Sequence, residues 1–263
     1  MQLPFAIRNA GQLLFRGFPV RVSTGLNKGM KWSVVTSGRG YGSGTFGADR
    51  LEVLDYLTRP GDTVWDIGAH KGFVSLALAQ SVGADGRVLS FEPSARNQWF
   101  LARHLSWNGV TNVTPMRVAL GPERGHARFG GRGDSLAYRV GEGDETVPVL
   151  RMPDVIAEYD VPAPDVVKID AEGQEAGILR TAADSLPDHA VLLISVHGRD
   201  LHTECTELLS GRGFHLLESA AMARCSADPD RPWTSDHDLL AIGPGREADM
   251  LEISRLRLFT GTR

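Results

Sequence analysis

The sequence predicts an α/β fold in which a mostly parallel sheet carries helices on both faces. Between residues 63 and 210, short apolar and β-branched stretches alternate with longer segments of helical periodicity, the pattern of strand–helix–strand units. The first of these strands, Thr63–Ile67, leads directly into a turn with two glycines and then a helix. Acidic residues follow two further strands, at Glu92 and Asp170, where open α/β sheets bind their ligands.

Composition narrows the class of protein. The chain has 263 residues, 42% of them hydrophobic, which is enough for the core of one large domain. Its net charge is −4, so it has no excess of basic residues that would indicate binding to nucleic acid. The two cysteines form no metal-binding spacing and fit a reducing cytoplasm. Polar residues interrupt the apolar ones in residues 1–20, so we expect an amphipathic helix there rather than a membrane span. The apolar face of this helix could pack against a second copy of the chain, so a homo-oligomer is one of the possible partners.

Residues 1–48 are predicted to form an N-terminal extension. After the amphipathic helix, Val20–Val22 and Met30–Val35 have the composition of two short strands of a hairpin. The stretch Gly38–Gly47 is too rich in glycine for a regular element. It is either a linker or a lid over a ligand, and its aromatic residues Tyr41 and Phe46 favour the lid.

Residues 49–245 are predicted to form the main domain and residues 246–263 a charged, weakly helical tail. The predicted helices are Asp49–Leu57, one that starts after Gly72, one from Ser94 to about Trp107 with Trp99, Ala102 and Leu105 on its apolar face, Met152–Tyr159, one from Ala171 to about Ala183, and Leu201–Ser210. The predicted strands are Thr63–Ile67, Arg87–Phe91, Val113–Leu120, Asp165–Asp170, Ala190–Val196 and a final antiparallel pair, Phe214–Glu218 and Asp238–Ile242. Residues 121–146 and 220–237 are predicted to be irregular.

The turn after the first strand indicates what kind of ligand binds there. Its pattern is Asp66-x-Gly68-x-His70-x-Gly72, which lacks the Gly-x-Gly-x-x-Gly spacing of a dinucleotide site. An acid on the strand end suits a cationic group, such as the ammonium and sulfonium of S-adenosylmethionine. Gly68 would let the backbone approach the ligand, and histidine is among the residues that tolerate positive φ. The alternative is an ordinary strand–turn–helix.

Two further strand ends add candidate cofactor contacts. Glu92 lies 26 residues after Asp66 (92 − 66), which is near the spacing of an acid that accepts hydrogen bonds from ribose hydroxyls. The alternative is a surface acid at a helix start. Asp134 and Ser135 could reach the edge of an adenine, or they are ordinary turn residues.

Asp170 and His197 end neighbouring predicted strands and could share a cleft. A histidine suits removal of a hydroxyl proton, and Asp170 could orient it; the alternative for His197 is a loop histidine bonded to backbone. Lys168 points to the same strand face as Asp170 and could pair with a nearby acid. Of the two following acids we expect only Glu172, not Glu175, to be near the site. Asp170 could ligate a magnesium ion, but no second and third carboxylate stands out at matching strand ends. We therefore assign no metal site, and metal dependence stays open.

Four motifs together resemble the FkbM family of S-adenosylmethionine-dependent methyltransferases. They are Val-Trp-Asp-Ile-Gly-Ala-His-Lys-Gly (64–72), Phe-Glu-Pro (91–93), Val-Ala-Leu-Gly (118–121) and Lys-Ile-Asp-Ala-Glu-Gly-Gln-Glu (168–175). The resemblance spans about residues 40–243. It implies a Rossmann-like class I methyltransferase fold with a seven-stranded sheet, and a cofactor site formed by Asp66, Gly68, Ala69, His70, Gly72, Glu92, Pro93, Ala119, Ser135 and Asp170.

The resemblance also implies a reaction, O-methylation of a small-molecule hydroxyl, often on a sugar or polyketide. His197 and Asp170 are then the candidate catalytic residues. The sequence departs from the family at His70, where asparagine is usual, and at Ser195, where the family often has Glu-x-His. Two other hypotheses stay open. One is a non-catalytic cofactor- or partner-binding module on the same fold, and the other is a nicotinamide oxidoreductase, which the missing glycine spacing disfavours.

Overall fold

The computed structural model describes residues 17–36, 38, 40–131, 139–182, 185–228, 233, 237–255 and 259–261. The strands are β1 (Pro19–Arg21), β2 (Lys31–Ser33), β3 (Thr63–Ile67), β4 (Arg87–Phe91), β5 (Val113–Met116), β6 (Ala119–Leu120), β7 (Gly125–Gly130), β8 (Arg139–Val140), β9 (Glu145–Leu150), β10 (Val166–Ile169), β11 (Val191–Ser195), β12 (His215–Ser219), β13 (Asp238–Ile242) and β14 (Phe259–Gly261). The α-helices are α1 (Ala48–Leu57), α2 (Phe73–Ser81), α3 (Ala95–Asn108), α4 (Met152–Tyr159), α5 (Glu175–Ala182), α6 (Arg199–Ser210), α7 (Ala220–Ala227) and α8 (Glu247–Arg255).

The main sheet confirms the predicted Rossmann-like α/β fold. Its order is β14-β12-β13-β11-β10-β3-β4-β5, so a mixed sheet of seven strands is extended at one edge by the three-residue strand β14. The strands from β11 to β5 run parallel, and β13 lies antiparallel between β11 and β12, as predicted. β3 and β10 are neighbours in the sheet. After β3 the chain continues to β4 on one side of this pair, and after β10 it continues to β11 on the opposite side. The carboxyl ends of β3 and β10 therefore form the switch point where ligands bind in open sheets.

Hydrophobic clusters cover the two faces of this sheet. One cluster includes Trp65 and Ile169, and the other includes Leu76 and Val88. Alternate residues of each buried strand point to opposite faces, so the strands read as continuous apolar runs, as expected for a parallel sheet with helices on both sides.

A second sheet overturns the prediction that residues 121–146 are irregular. Strands β6, β9, β7 and β8 pair in that order. The predicted strand Val113–Leu120 is also wrong as one element, because β5 ends in the main sheet at Met116 and Ala119–Leu120 pairs instead with β9. Phe129, Val147 and Val149 form a small core of their own with Ala119. The strands are short, and glycines lie at both ends of β7 and at positions 141 and 143 between β8 and β9, so the sequence shows no clear alternation here.

Two other predictions need correction, whereas the helical character predicted for the tail is confirmed. Residues 220–227, expected in a loop, form helix α7, whose first turn is capped by the Ser219 hydroxyl accepting from the Met222 N–H. The tail forms α8, and β14 then pairs with β12; the domain boundaries at residues 48 and 245 stay a prediction. In α3, Trp99 is 40% exposed and Ala102 is exposed, so only Leu105 of the predicted apolar face is buried.

The predicted N-terminal hairpin is confirmed, since β1 and β2 pair antiparallel. It is anchored on α3, because the ring of Trp32 stacks on His104 at 3.7 Å and the Ser33 N–H donates to His104 Nε2 at 3.0 Å. The predicted amphipathic helix falls largely on residues 1–16, which lie outside the described residues. Among the described helices, none combines the length and apolar character needed to cross a membrane.

Candidate active site

The turn between β3 and α2 brings backbone groups to the switch point. Gly68 has φ 75°, and a Cβ at this position would lie 1.9 Å from the Asp170 carbonyl oxygen, so only glycine lets the two strand ends approach this closely. His70 adopts φ 52°, the conformation its residue type tolerates. Gly72 serves packing instead, because a Cβ there would lie 2.2 Å from Leu101 Cδ1. Gly72 therefore permits the close approach of α3 and lines neither of the two cavities described below.

Asp66 lies beneath the turn and lines neither of the two cavities described below; its contact with a cofactor stays a prediction. Its side chain is fully buried; Oδ2 accepts the Ser75 hydroxyl at 2.6 Å and Oδ1 lies 3.2 Å from Lys168 Nζ. Lys168 donates in turn to the carbonyl oxygens of Ile67 and Gly68, at 3.1 and 2.7 Å. The predicted pairing of Lys168 with a nearby acid is confirmed. The ion pair and the two bonds from Lys168 hold the turn in place from below.

Glu92 is buried at the end of β4 and holds the neighbouring turns in place. Oε1 accepts the Ser94 N–H at 2.9 Å and the Asn97 side-chain N–H at 3.2 Å, and Oε2 accepts the His70 N–H at 2.8 Å. Burial raises the pKa of Glu92 to about 7, although these hydrogen bonds oppose the shift. A carboxylate has about four acceptor positions, so one position on Oε2 is available to a ligand.

The first cavity lies beyond the carboxyl ends of β3, β4 and β10 and is partly open to solvent. Six residues of the predicted cofactor site line it: Gly68, His70, Glu92, Pro93, Ala119 and Asp170. Ser135 lies outside the described residues. The sequence did not indicate Phe129 and Val140, which reach the cavity from the second sheet, or Gln174. The apolar residues at Phe129 and Val140 were hidden in glycine-rich sequence.

The second cavity, of about 590 Å³, adjoins the first and shares Gly68, His70 and Asp170 with it. Ala69, from the predicted cofactor site, lines it, together with Tyr41, Phe46, Arg50, Lys168 and Ser195. Tyr41 and Phe46 come from the glycine-rich stretch, and their rings stack at 4.0 Å. Tyr41 is buried. The described part of Gly38–Gly47 forms turns, and Tyr41, Phe46 and Gly47 line this cavity; a lid function stays a prediction.

Asp238 lies beside Ser195, the position at which the family often has an acid and this chain does not. The two residues pair across β11 and β13, and the Ser195 hydroxyl donates to Asp238 Oδ1 at 3.0 Å. Arg50 Nε donates to Asp238 Oδ2 at 2.6 Å. Burial raises the pKa of Asp238, and Arg50 opposes that shift. The neighbouring strand thus supplies a carboxylate that the local sequence at Ser195 lacks.

His197 lies among three carboxylates just past the end of β11. Its Nδ1 is 2.8 Å from Glu175 Oε1, and its Nε2 is 3.6 Å from both Asp170 Oδ1 and Glu172 Oε1. Burial by itself lowers the pKa of His197, but the Glu175 hydrogen bond and the three negative charges raise it overall. The predicted proximity of Asp170 and His197 is confirmed. The expectation that Glu175 lies away from the site is wrong.

A tight turn explains the position of Glu175. Glu172 has φ 50° and Gly173 has φ 107°, so the chain folds back before α5 begins. Glu175 Oε1 then accepts the N–H groups of Ala171 and Gly173, at 3.3 and 3.1 Å. Burial raises the pKa of Glu172, while the nearby charge of His197 opposes the shift.

Comparison with known proteins places this arrangement in a family context. Residues 66–216, more than half of the chain, match the model of the family described as the methyltransferase FkbM domain. The hexuronic acid methyltransferase AglP of Haloferax volcanii is 26% identical over 167 residues, which are 62% of this chain and 67% of AglP.

Two solved structures resemble this chain in fold at lower sequence identity than AglP. The methyltransferase FkbM of Methylobacillus flagellatus is 19% identical with a TM-score of 0.48, over 74% of this chain and 51% of that one. The O-methyltransferase TomG of Streptomyces achromogenes is 17% identical with a TM-score of 0.48, over 74% of this chain and 80% of that one. The family match includes Glu92, Asp170, Glu175 and His197 and ends before Asp238.

Proposed function

This chain belongs to the FkbM methyltransferase family, and on that premise we propose that it transfers a methyl group from S-adenosylmethionine to a hydroxyl of an acidic sugar. The observation that carries the proposal is the meeting of two cavities at the switch point. Both are lined by Gly68, His70 and Asp170. One cavity would hold the cofactor and the other the acceptor, with the transferred methyl group where they join.

The first cavity fits the adenosine part of the cofactor. Glu92 keeps one acceptor position on Oε2 for a ribose hydroxyl, and its other positions are used by backbone and Asn97 donors. Phe129 and Val140 supply apolar surface for the adenine. Bound there, S-adenosylmethionine supplies an electrophilic methyl group.

The second cavity would hold the acceptor with its hydroxyl at Asp170, which lines it. His197 lines neither cavity but lies next to Asp170, with Nε2 3.6 Å from Oδ1. Glu175 only accepts hydrogen bonds when ionised, so the His197 Nδ1 carries the proton of their 2.8 Å contact. Nε2 is then free to receive the proton that the hydroxyl loses as its oxygen bonds to the methyl carbon. Glu175 and Asp170 stabilise the resulting imidazolium. Alignment of the hydroxyl within the enclosed cavity supplies much of the acceleration.

Two observations support a sugar acid as the acceptor. The relative from Haloferax volcanii is named a hexuronic acid methyltransferase. Arg50 lines the second cavity. Its Nε is paired with Asp238, and a guanidinium group carries further N–H donors of the kind that bind carboxylates. A polyketide-type alcohol is the competing acceptor class, because stacked Tyr41 and Phe46 also give this cavity an aromatic wall.

The test is transfer of label from methyl-labelled S-adenosylmethionine to three acceptors: a hexuronic acid glycoside, the corresponding neutral hexose glycoside and a polyketide alcohol. We expect label on the uronic acid glycoside that survives mild base, as an ether does. Label lost in mild base would place the methyl on the carboxylate as an ester and contradict the hydroxyl assignment. Tight cofactor binding with no transfer to any acceptor would favour the non-catalytic module.

A further inference from the structure

Three side chains that could ligate a metal ion converge near the first cavity, which Asp170 and Glu172 line; from the sequence, Asp170 was the one candidate ligand. Asp170 follows β10, Glu172 lies in the turn before α5, and His197 lies just past β11. One ligand atom from each can be chosen so that all three lie within 4.8 Å of one another. All three are partly buried rather than exposed.

When the His197 ring is neutral, the atoms that face each other in this cluster are all acceptors. The proton then lies on Nδ1, which contacts Glu175, and the lone pair of Nε2 faces Asp170 Oδ1 and Glu172 Oε1. Both distances are 3.6 Å, longer than a hydrogen bond of about 2.7–3.2 Å. Two ligands about 2.1 Å from one ion lie roughly 3.0–3.4 Å apart. The observed spacing is therefore closer to that of ligands around an ion than to a hydrogen bond.

The second oxygen of each carboxylate already faces a basic side chain. Lys168 Nζ lies 4.0 Å from Asp170 Oδ2, and an Arg139 nitrogen lies 3.8 Å from Glu172 Oε2. The oxygens directed at His197 are the other two, Oδ1 and Oε1. Each carboxylate thus keeps one oxygen for a cation at the centre of the cluster.

Glu175 supplies an independent reason to expect a positive charge here. It is fully buried, and its Oε2 has no hydrogen-bond partner among the described residues. With Asp170 and Glu172 it makes three carboxylates around one imidazole, an excess of negative charge that is costly in a buried site unless it is compensated. Metal-binding histidines also commonly donate their second ring N–H to a carboxylate, as His197 does to Glu175.

We propose that Asp170, Glu172 and His197 bind one divalent transition-metal ion, with Glu175 orienting the histidine. One nitrogen and two oxygen ligands suit Mn²⁺ or Zn²⁺ better than Ca²⁺, which takes oxygen ligands throughout. The remaining positions of the ion are open to water or to an acceptor hydroxyl. Binding of the ion does not depend on the proposed function.

The proposed catalytic use of the ion does rest on that function. A hydroxyl bound to the ion loses its proton more easily, and the proton passes to bulk water. In the metal-loaded protein His197 is then a ligand, and its assignment as base applies only to the metal-free protein.

The experiment is a titration of the chelator-treated full chain with Mn²⁺, followed by electron paramagnetic resonance, with Zn²⁺ as competitor. We expect one Mn²⁺ per chain, with affinity at least about tenfold weaker in Glu172→Gln and in His197→Ala, and also in Glu175→Gln, which leaves the three ligands intact. The matched control is His189→Ala. His189 also pairs with a carboxylate, Asp165, at 2.8 Å, but this pair lies outside the cluster, so metal affinity should not change.

Two results would overturn the proposal: no stoichiometric binding of either ion to the wild-type chain, or binding that Glu172→Gln and His197→Ala leave unchanged. Far-ultraviolet circular dichroism of each variant separates loss of a ligand from loss of the fold. S-adenosylhomocysteine binding is measured on the same samples. If the ion binds and this ligand does not, the cofactor assignment fails while the metal site stands.

Discussion

Substitution of Glu92 tests how the cofactor would be held. Its carboxylate accepts three N–H donors, which leaves one position on Oε2 for a ribose hydroxyl. One hydrogen bond to a charged group contributes about 1.5–3 kcal/mol. We therefore expect Glu92→Ala to weaken S-adenosylhomocysteine binding roughly 10- to 150-fold, since 1.4 kcal/mol is about a factor of ten.

The assay must separate this lost contact from a distorted pocket, because Glu92→Ala also removes the partner of the His70, Ser94 and Asn97 donors. Calorimetry with S-adenosylhomocysteine and its 2′-deoxy and 3′-deoxy analogues makes that separation. Since one acceptor position is available, one of the two analogues should bind wild type and variant with nearly equal affinity. An equal loss for all three ligands would mean a general pocket defect. Unchanged affinity for the parent ligand would refute the ribose contact itself.

Three further predictions concern pH, turnover and stability. Burial raises the pKa of Glu92 to about 7, and the ribose contact needs the ionised form, so affinity for S-adenosylhomocysteine should fall as the pH is lowered from about 8 to about 6. Glu92→Gln should abolish this pH dependence. The same fall in affinity in Glu92→Gln would exclude Glu92 as its cause. His197→Ala should lower the rate of methyl transfer about 10²- to 10⁴-fold and leave S-adenosylhomocysteine affinity nearly unchanged. The control variant His189→Ala should keep wild-type turnover. Loss of S-adenosylhomocysteine binding in His197→Ala would instead assign His197 to the cofactor pocket. Lys168→Met leaves fully buried Asp66 without its cation and should cost about 3–5 kcal/mol in urea unfolding; a loss below about 1 kcal/mol would show that this ion pair does not stabilise the turn.

Local sequence patterns were sufficient for the main sheet and for part of the site. The run Thr63–Ile67 is buried on both faces, so its apolar character identified a central parallel strand. Gly68 and Glu92, the acid at the end of β4, were correctly placed at the first cavity. Each position follows from the residues of one strand and of the turn directly after it, so a local sequence pattern is enough to predict it.

The features that were missed depend on contacts between distant parts of the chain. The sequence does not show that Lys168, which is 102 residues further on (168 − 66), is the residue that pairs with Asp66 beneath the turn. Glu175 was excluded because the sequence alone does not give the positive φ of Glu172, which returns its carboxylate to His197. Asp238 reaches Ser195 only through strand pairing across β11 and β13.

The measurement that tests the central claim most directly is calorimetric titration of the purified chain with S-adenosylmethionine, S-adenosylhomocysteine and NAD in parallel. We predict that the first two ligands bind at one site per chain and that NAD does not. Binding of NAD in preference to both would contradict the assignment of the first cavity and support the oxidoreductase hypothesis. Absence of binding by all three, in the presence and absence of Mn²⁺, would contradict the proposal that this chain uses S-adenosylmethionine.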